Sequence, residues 1–186
     1  MKTSTVHLFI VIFFSSLFLS FVPESSGQMN PDDASVSSVY NPYYIVISKK
    51  NYELKVYDDK GWYATYPCVF GNGDHRDKYM EGDKRTPEGN FKVLFKKKNA
   101  KWAYEIMLDY PNEESKRKFK QRIARGEIPA NAKIGGGIAI HGTRPQEEWT
   151  VDHYQNWTDG CISLKYSEAK DLFSYIPVGT PVTITK

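Results

Sequence analysis

The spacing of apolar and polar residues divides the chain into a leader, a polar connector and one folded domain. Residues 6–22 form an uncharged apolar run with five Phe, preceded by Lys2 as its only charge and followed by Pro23, Ser25, Ser26 and Gly27. A lone cation, an apolar stretch and then small residues is the pattern of a secretory signal, with cleavage expected after Gly27. The run also sits at the lower limit of the ~17–25 residues of a spanning helix, so an uncleaved membrane anchor is the competing reading. Both readings place the remainder outside the cytoplasm, in the periplasm or cell envelope. Residues 28–42 are rich in Ser, Asp, Asn and Pro without periodicity and read as a flexible tether, so the folded domain is expected over 43–186.

Inside that domain the pattern alternates with the period of strands. Residues 43–48 are aromatic and β-branched; a polar turn at Lys49, Lys50 and Asn51 leads into a second segment carrying Leu54, Val56 and Tyr57, and the pair reads as a hairpin. Residues 63–70 form a third strand, which Pro67 assigns to a sheet edge or a bulge because proline cannot donate to a ladder. Phe91, Val93 and Phe95 alternate with lysines over 91–97, and short strands are expected at 104–108, 137–140, 161–164 and 181–185. Two helices interrupt them. One covers 112–125, acidic at its start and basic before Gly126, with Phe119 and Ile123 four apart. The other covers 167–176, with Ser167 as N-cap, Leu172, Phe173 and Ile176 turned inward, and Pro177 and Gly179 as stops. The fold class is therefore mainly β, with two short peripheral helices.

Composition narrows the chemistry. Lys plus Arg number 25 against 22 Asp plus Glu, a net charge of +3, too balanced to hold nucleic acid by charge. Aromatics at 15% suit a β-rich core and exclude a wholly disordered chain. Two cysteines build neither a multi-disulfide scaffold nor a four-thiolate zinc site, and His75, His141 and His153 lack ligand spacing. Neither a metal nor a cofactor is expected.

Two segments stand out for reasons other than packing. Gly135-Gly136-Gly137-Ile138-Ala139-Ile140 delivers His141 followed by Gly142, and Trp157-Thr158-Asp159-Gly160 delivers Cys161 at the head of a short strand. Twenty positions separate His141 from Cys161, enough for a loop that leaves one strand and returns beside it. An adjacent imidazole lowers a thiol's pKa and supplies a nucleophile for acyl transfer, and Gly160 lets the backbone turn so that N–H groups near Cys161 face a developing oxyanion. On residue types alone, a buried inert thiol and a core histidine fit the same pattern.

His141-Gly142 together with Thr158-Asp159-Gly160-Cys161 resembles the motif of the L,D-transpeptidase catalytic domain, the YkuD or ErfK family. The likeness runs from Tyr43 to Lys186, through the opening hairpin, the loop from Glu81 to Gly89, the Asp109-Tyr110-Pro111-Asn112 segment and the closing strand. The Thr-Asp-Gly-Cys form and the glycine run make it most similar to the YafK-like, murein L,D-transpeptidase branch. The resemblance implies a β-sandwich-like domain acting on peptidoglycan stem peptides, in which Cys161 attacks the carbonyl between the third, diamino residue and a D-Ala to give a thioester that an amine resolves. His141 is then base and acid, the Gly142 carbonyl orients its ring, and the Gly160 and Cys161 N–H groups line the oxyanion hole. Thr158, Asp159, Ser163 and Arg85 are the expected substrate contacts. Asp159 stands where many members have His, and Ser163 where many have Arg; Asp159 reads as an orienter of the imidazole, an amine contact or a turn residue. With water as acceptor the same pair gives a hydrolase that trims stems or cuts a protein off peptidoglycan. A non-catalytic wall-binding module, with Cys161 bonded to Cys68 or merely buried, is the reading of a different class.

Overall fold

The computed structural model describes residues 40–99 and 103–186; the expected signal segment and most of the tether lie outside them. The strands are β1 (Tyr44–Ser48), β2 (Glu53–Asp58), β3 (Gly61–Pro67), β4 (Gly89–Asn99), β5 (Ala103–Leu108), β6 (Ala139–Gly142), β7 (Ile162–Leu164) and β8 (Pro181–Thr185). The helices are α1 (Glu113–Ala124), α2 (Trp149–Asp152) and α3 (Tyr166–Tyr175), with a 3-10 turn at Pro145–Glu147. All eight strands belong to one sheet, in the order β3-β2-β1-β8-β4-β5-β6-β7. Just past β3, Val69 and Ser163 exchange backbone hydrogen bonds of 2.8 and 2.9 Å, so the two outer strands of the order meet and the sheet nearly closes. The expected sandwich thus takes the form of a single sheet whose two halves share β4. Residues 89–92 of that strand pair with β8 and residues 93–99 with β5, and the register shifts between Val93 and Phe95.

Alternation places Ile45, Ile47, Leu54, Val56, Val182 and Ile184 fully inside, with Ile106, Ile140, Ile162 and Leu164 from the other half and Leu172 and Ile176 from α3. β3 ends at Pro67 and is an outer strand, as the proline requires. Asn112 caps α1 by accepting the Ser115 N–H at 3.0 Å, while its amide donates to the Asn90 carbonyl at 2.7 Å; Phe119 and Ile123 are only half-buried. α3 begins one residue earlier than expected. Lys165, not Ser167, occupies the N-cap, because the Glu168 carboxylate reaches back to the Lys165 N–H at 3.2 Å. A Cβ on Gly142 would come within 3.2 Å of Ala169 Cβ, so the glycine lets α3 lie against β6.

Two expectations need correction. Among the described residues three helices are present rather than two: the 3-10 turn and α2 occupy residues 145–152, each little more than one turn, too short for a 3.6-residue period to show in the sequence. β6 runs over 139–142 rather than 137–140, since Gly135 and Gly137 adopt φ of +75° and +71°, conformations incompatible with a strand. His141 consequently lies within the sheet, not beyond it.

The loop between β3 and β4, which forms one side of the site, is tied down by Lys49. This lysine is 1% exposed, pairs with Glu88 at 2.6 Å and donates to the Arg76 and Thr86 carbonyls at 3.1 and 3.3 Å. Lys49→Met strands those partners, and the expected loss is about 3 kcal/mol in a urea titration. An unchanged midpoint would mean that Glu88 and the carbonyls rehydrate without cost.

Candidate active site

The register of the sheet brings the two candidate residues together. β6 and β7 are parallel, with Ile140 opposite Ile162 and His141 opposite Ser163; the same register continued places Cys161 opposite Ala139. Ile140, Ile162 and Leu164 face the core, so His141, Ala139, Ser163 and Cys161 share the opposite face. β5 extends this face, because Glu105 pairs with His141 and Met107 with Ala139. β4 extends it further through Lys97 beside Glu105 and Phe95 beside Met107. One row therefore reads Lys97, Glu105, His141, Ser163, and its neighbour reads Phe95, Met107, Ala139, Cys161.

His141 is 3% exposed, and its Nδ1 lies 3.0 Å from the Gly142 carbonyl. A carbonyl only accepts, so Nδ1 carries the proton and Nε2 is the basic nitrogen of the neutral ring. The Trp157 ring meets the imidazole edge to face, with centroids 5.7 Å apart. Cys161 and Cys68 are both free thiols, so the disulfide-linked reading is not met; Cys68 is wholly buried in the core and Cys161 is partly exposed. The Cys161 S–H donates to the Gly137 carbonyl at 3.4 Å. Burial raises the Cys161 pKa above the ordinary thiol value. The Ala139 N–H opposes it by hydrogen bonding to the sulfur, Glu105 and Asp159 add to it through their negative charge, and Lys78 weakly opposes it. The expected depression by the neighbouring imidazole is not among these causes, and Cys161 rests as a thiol.

The turn that presents Cys161 is built by Thr158. Its hydroxyl donates to the Cys161 carbonyl at 2.7 Å and accepts the Gly160 N–H at 3.1 Å. Gly160 has φ of +133°, and a Cβ there would lie 2.8 Å from the Arg85 carbonyl oxygen, so no other residue fits. This arrangement corrects the expected oxyanion donors: the Gly160 N–H is already engaged, and the Cys161 N–H is the one with no partner among the described residues.

The expected substrate contacts separate. Asp159 stands at the surface, its side chain 91% exposed and 4.0 Å from Lys84 Nζ, so it does not orient the imidazole. Thr158 is buried and serves the turn. Ser163 is completely buried beside His141, with its backbone bonded to Val69, and touches no open surface. Arg85 contributes its main chain to the packing against Gly160, but its guanidinium turns away to Asp74 at 2.8 Å. No group of three or more potential metal ligands occurs among the described residues.

Residue types and spacing did not point to Glu105 or Ala139, whereas Lys78 belongs with Lys84 and Arg85 to a basic loop visible in the sequence. Glu105 had one signal, a charge within the apolar strand 104–108; it is 8% exposed with Lys97 at 3.4 Å. The Ala139 N–H has no side-chain signature.

Comparison with known proteins gives concordant findings. The family model described as the L,D-transpeptidase catalytic domain, YkuD, matches residues 42–184. The Bacillus subtilis (strain 168) protein YqjB, provisionally named an L,D-transpeptidase, is 30% identical over 143 residues, covering 76% of this chain and 70% of that protein. Among solved structures, the helical cell shape determining protein Pgp2 from Campylobacter jejuni superposes with a TM-score of 0.58 at 20% identity, covering 78% of this chain and 48% of that one. Bd1075 from Bdellovibrio bacteriovorus gives 0.56 at 23% identity, with 79% and 48% covered. An L,D-transpeptidase from Mycobacterium smegmatis gives 0.52 at 16%, with 78% and 59% covered. The chain thus spans about half of the first two solved chains and three fifths of the third, and these likenesses concern the fold.

Proposed function

The chain belongs to the family of L,D-transpeptidase catalytic domains, and from that membership and the site geometry we propose that it is a cysteine acyltransferase acting on peptidoglycan stem peptides. The observation that carries this reading is the His141 tautomer. With Nδ1–H held by the Gly142 carbonyl, Nε2 is the base, on the same sheet face as the Cys161 thiol.

The reaction follows from those positions. Nε2 takes the thiol proton as Sγ adds to the stem carbonyl, forming a C–S bond and moving the π electron pair onto oxygen. The Cys161 N–H stabilises that oxyanion. Collapse breaks the C–N bond, and the imidazolium returns its proton to the departing D-amino acid, leaving a thioester. An acceptor amine then adds to the thioester, gives its proton to Nε2 and displaces the thiolate, which is reprotonated. Because Cys161 rests as a thiol, His141 acts as base within the attack and not through a preformed ion pair. A substrate of this kind lies outside the cytoplasm, in agreement with the secretory pattern of residues 1–27.

Purified protein incubated with a disaccharide tetrapeptide is expected to gain the mass of the donor less its terminal D-amino acid, located on Cys161. Adding an amine acceptor should convert the adduct into a cross-linked product. No adduct on Cys161 would sink the proposal, and hydrolysed tripeptide as the dominant product at high acceptor concentration would make water the acceptor.

A further inference from the structure

Residues 156–158 support both halves of the site. The Trp157 ring packs against the His141 imidazole, and the Thr158 hydroxyl holds the turn that presents Cys161. This segment lies along residues 70–72: the Phe70 carbonyl accepts the Trp157 and Thr158 N–H groups, each at 3.2 Å, and the Thr158 carbonyl accepts the Asn72 N–H at 2.8 Å. The Asn156 side chain pins its start, with Oδ1 accepting the Phe70 N–H at 2.8 Å. A backbone N–H only donates, so the amide has one orientation and its Nδ2 is a donor.

That Nδ2 meets two groups from elsewhere in the chain, the Tyr52 hydroxyl at 3.3 Å and His75 Nε2 at 3.2 Å. Because Nδ2 donates, Nε2 is an acceptor, and the 3.0 Å bond between Tyr52 and His75 runs from the hydroxyl to Nε2. His75 is therefore neutral, with its proton on Nδ1. The three side chains come from the β1–β2 turn, the β3–β4 loop and the loop ahead of Cys161. Tyr52 also lays its ring against Phe70, His75 and Tyr154, with centroids 5.7, 5.3 and 5.1 Å apart, and its carbonyl accepts the Cys68 N–H at 2.9 Å. Tyr52 and Tyr154 have φ of +55° and +53°, a conformation that bulky residues keep only where their surroundings hold them in it.

A proton on Nε2 would turn the acceptor into a donor and set it against the Asn156 amide across 3.2 Å. The ring is half-buried, so protons from solvent reach it. Tyr52 faces it from the β1–β2 turn, with Tyr154 behind Tyr52. The charges nearby are matched elsewhere: Asp74, its neighbour in the chain, is held by Arg76 at 2.6 Å and Arg85 at 2.8 Å, and Lys49 pairs with Glu88. His153, from the loop ahead of Cys161, turns its Nδ1 to the Trp149 carbonyl. Among the described residues no carboxylate bonds to the His75 imidazole, so none there compensates an added charge.

We propose that His75 is a positioning residue for acyl transfer: its neutral ring fixes the Asn156 amide, and with it the segment bearing Trp157 and Thr158, and on gaining a proton it releases that segment. The consequence for catalysis rests on the function proposed above, whereas the link from His75 to Trp157 and Thr158 does not.

Long-range proton–nitrogen NMR of isotope-labelled protein should find His75 as the Nδ1–H tautomer near neutral pH. On acidification the Trp157 indole and Thr158 amide signals should shift with the midpoint at which His75 gains its proton. His75→Gln places a carbonyl oxygen near the position of Nε2 that accepts both donors and takes no proton, so this step should vanish from Trp157 and Thr158 in that variant. Acylation of Cys161 by a tetrapeptide donor is read alongside. His75→Ala should slow acylation about tenfold with half-saturation unchanged, since the segment supports the reacting groups rather than the stem. His75→Gln should recover most of that rate and abolish the added loss that the parent shows below the His75 midpoint. An Nε2–H tautomer, Trp157 and Thr158 signals that follow His141 alone, or a His75→Gln protein as slow as His75→Ala overturns the proposal. A parent protein that gains no Cys161 adduct removes the acyl-transfer reading, and the NMR steps then decide by themselves whether His75 governs the segment.

Discussion

Cys161→Ala is expected to reduce thioester formation to background, a loss of about 10³-fold or more, because no other group at the site forms the C–S bond. The protein should remain folded, with stability within ~1 kcal/mol of the parent, since Cys161 is partly exposed and lies outside the core cluster. Cys68→Ala should behave in the opposite manner. Its sulfur is wholly buried among core side chains, so truncation leaves a void and costs about 1–2 kcal/mol while acylation at Cys161 proceeds. Burial also pushes the Cys68 thiol far up, which keeps it unreactive toward alkylating reagents in the native protein. Intact-mass kinetics paired with urea titration of both variants checks the pair of outcomes. A Cys161→Ala protein that still releases the terminal D-amino acid would remove the nucleophile from its assigned place.

The strands were legible because their residues alternate strongly and because Pro67 and the polar turns punctuate them. The proposed nucleophile and its histidine partner stand out in the sequence because a glycine beside each leaves few structural reasons for their placement. What the residue pattern could not convey is direction. Arg85 reads as a substrate contact until Asp74 is seen to hold its guanidinium, and Thr158 does so until its hydroxyl is found bridging Gly160 and Cys161. Ser163 is polar by type but lies sealed against Val69. In each case the partner is distant in sequence or supplied by backbone, and neither leaves a periodic trace. The bonds among Tyr52, His75 and Asn156 had the same fate, since each joins residues more than twenty positions apart. Glu105 shows a further limit, since a charged residue in an apolar strand signals an exposed face as readily as a site. Only pairing with His141 decides it.

His141→Ala is expected to slow acylation about 10²–10⁴-fold near neutral pH, and the deficit should shrink as pH rises. The direction follows from the raised thiol pKa. Burial, Glu105 and Asp159 hold Cys161 protonated through neutrality, so without the imidazole only the small thiolate fraction reacts. Below the thiol pKa that fraction grows tenfold per pH unit, and the variant's rate climbs with it. The parent rate instead climbs less with pH, because the neutral imidazole removes the proton during attack. Glu105 is in register with His141 on the same face, and its carboxylate disfavours the Cys161 thiolate. Glu105→Gln should therefore move the thiol's titration to lower pH. Glu105→Gln in the His141→Ala background isolates the effect on sulfur: iodoacetamide should alkylate Cys161 faster at a given pH than in His141→Ala alone. A His141→Ala profile that runs parallel to the parent at every pH would mean that the imidazole does not take the thiol proton. A thiol titration unmoved by Glu105→Gln, with activity merely lowered throughout, would reduce Glu105 to a packing residue of β5.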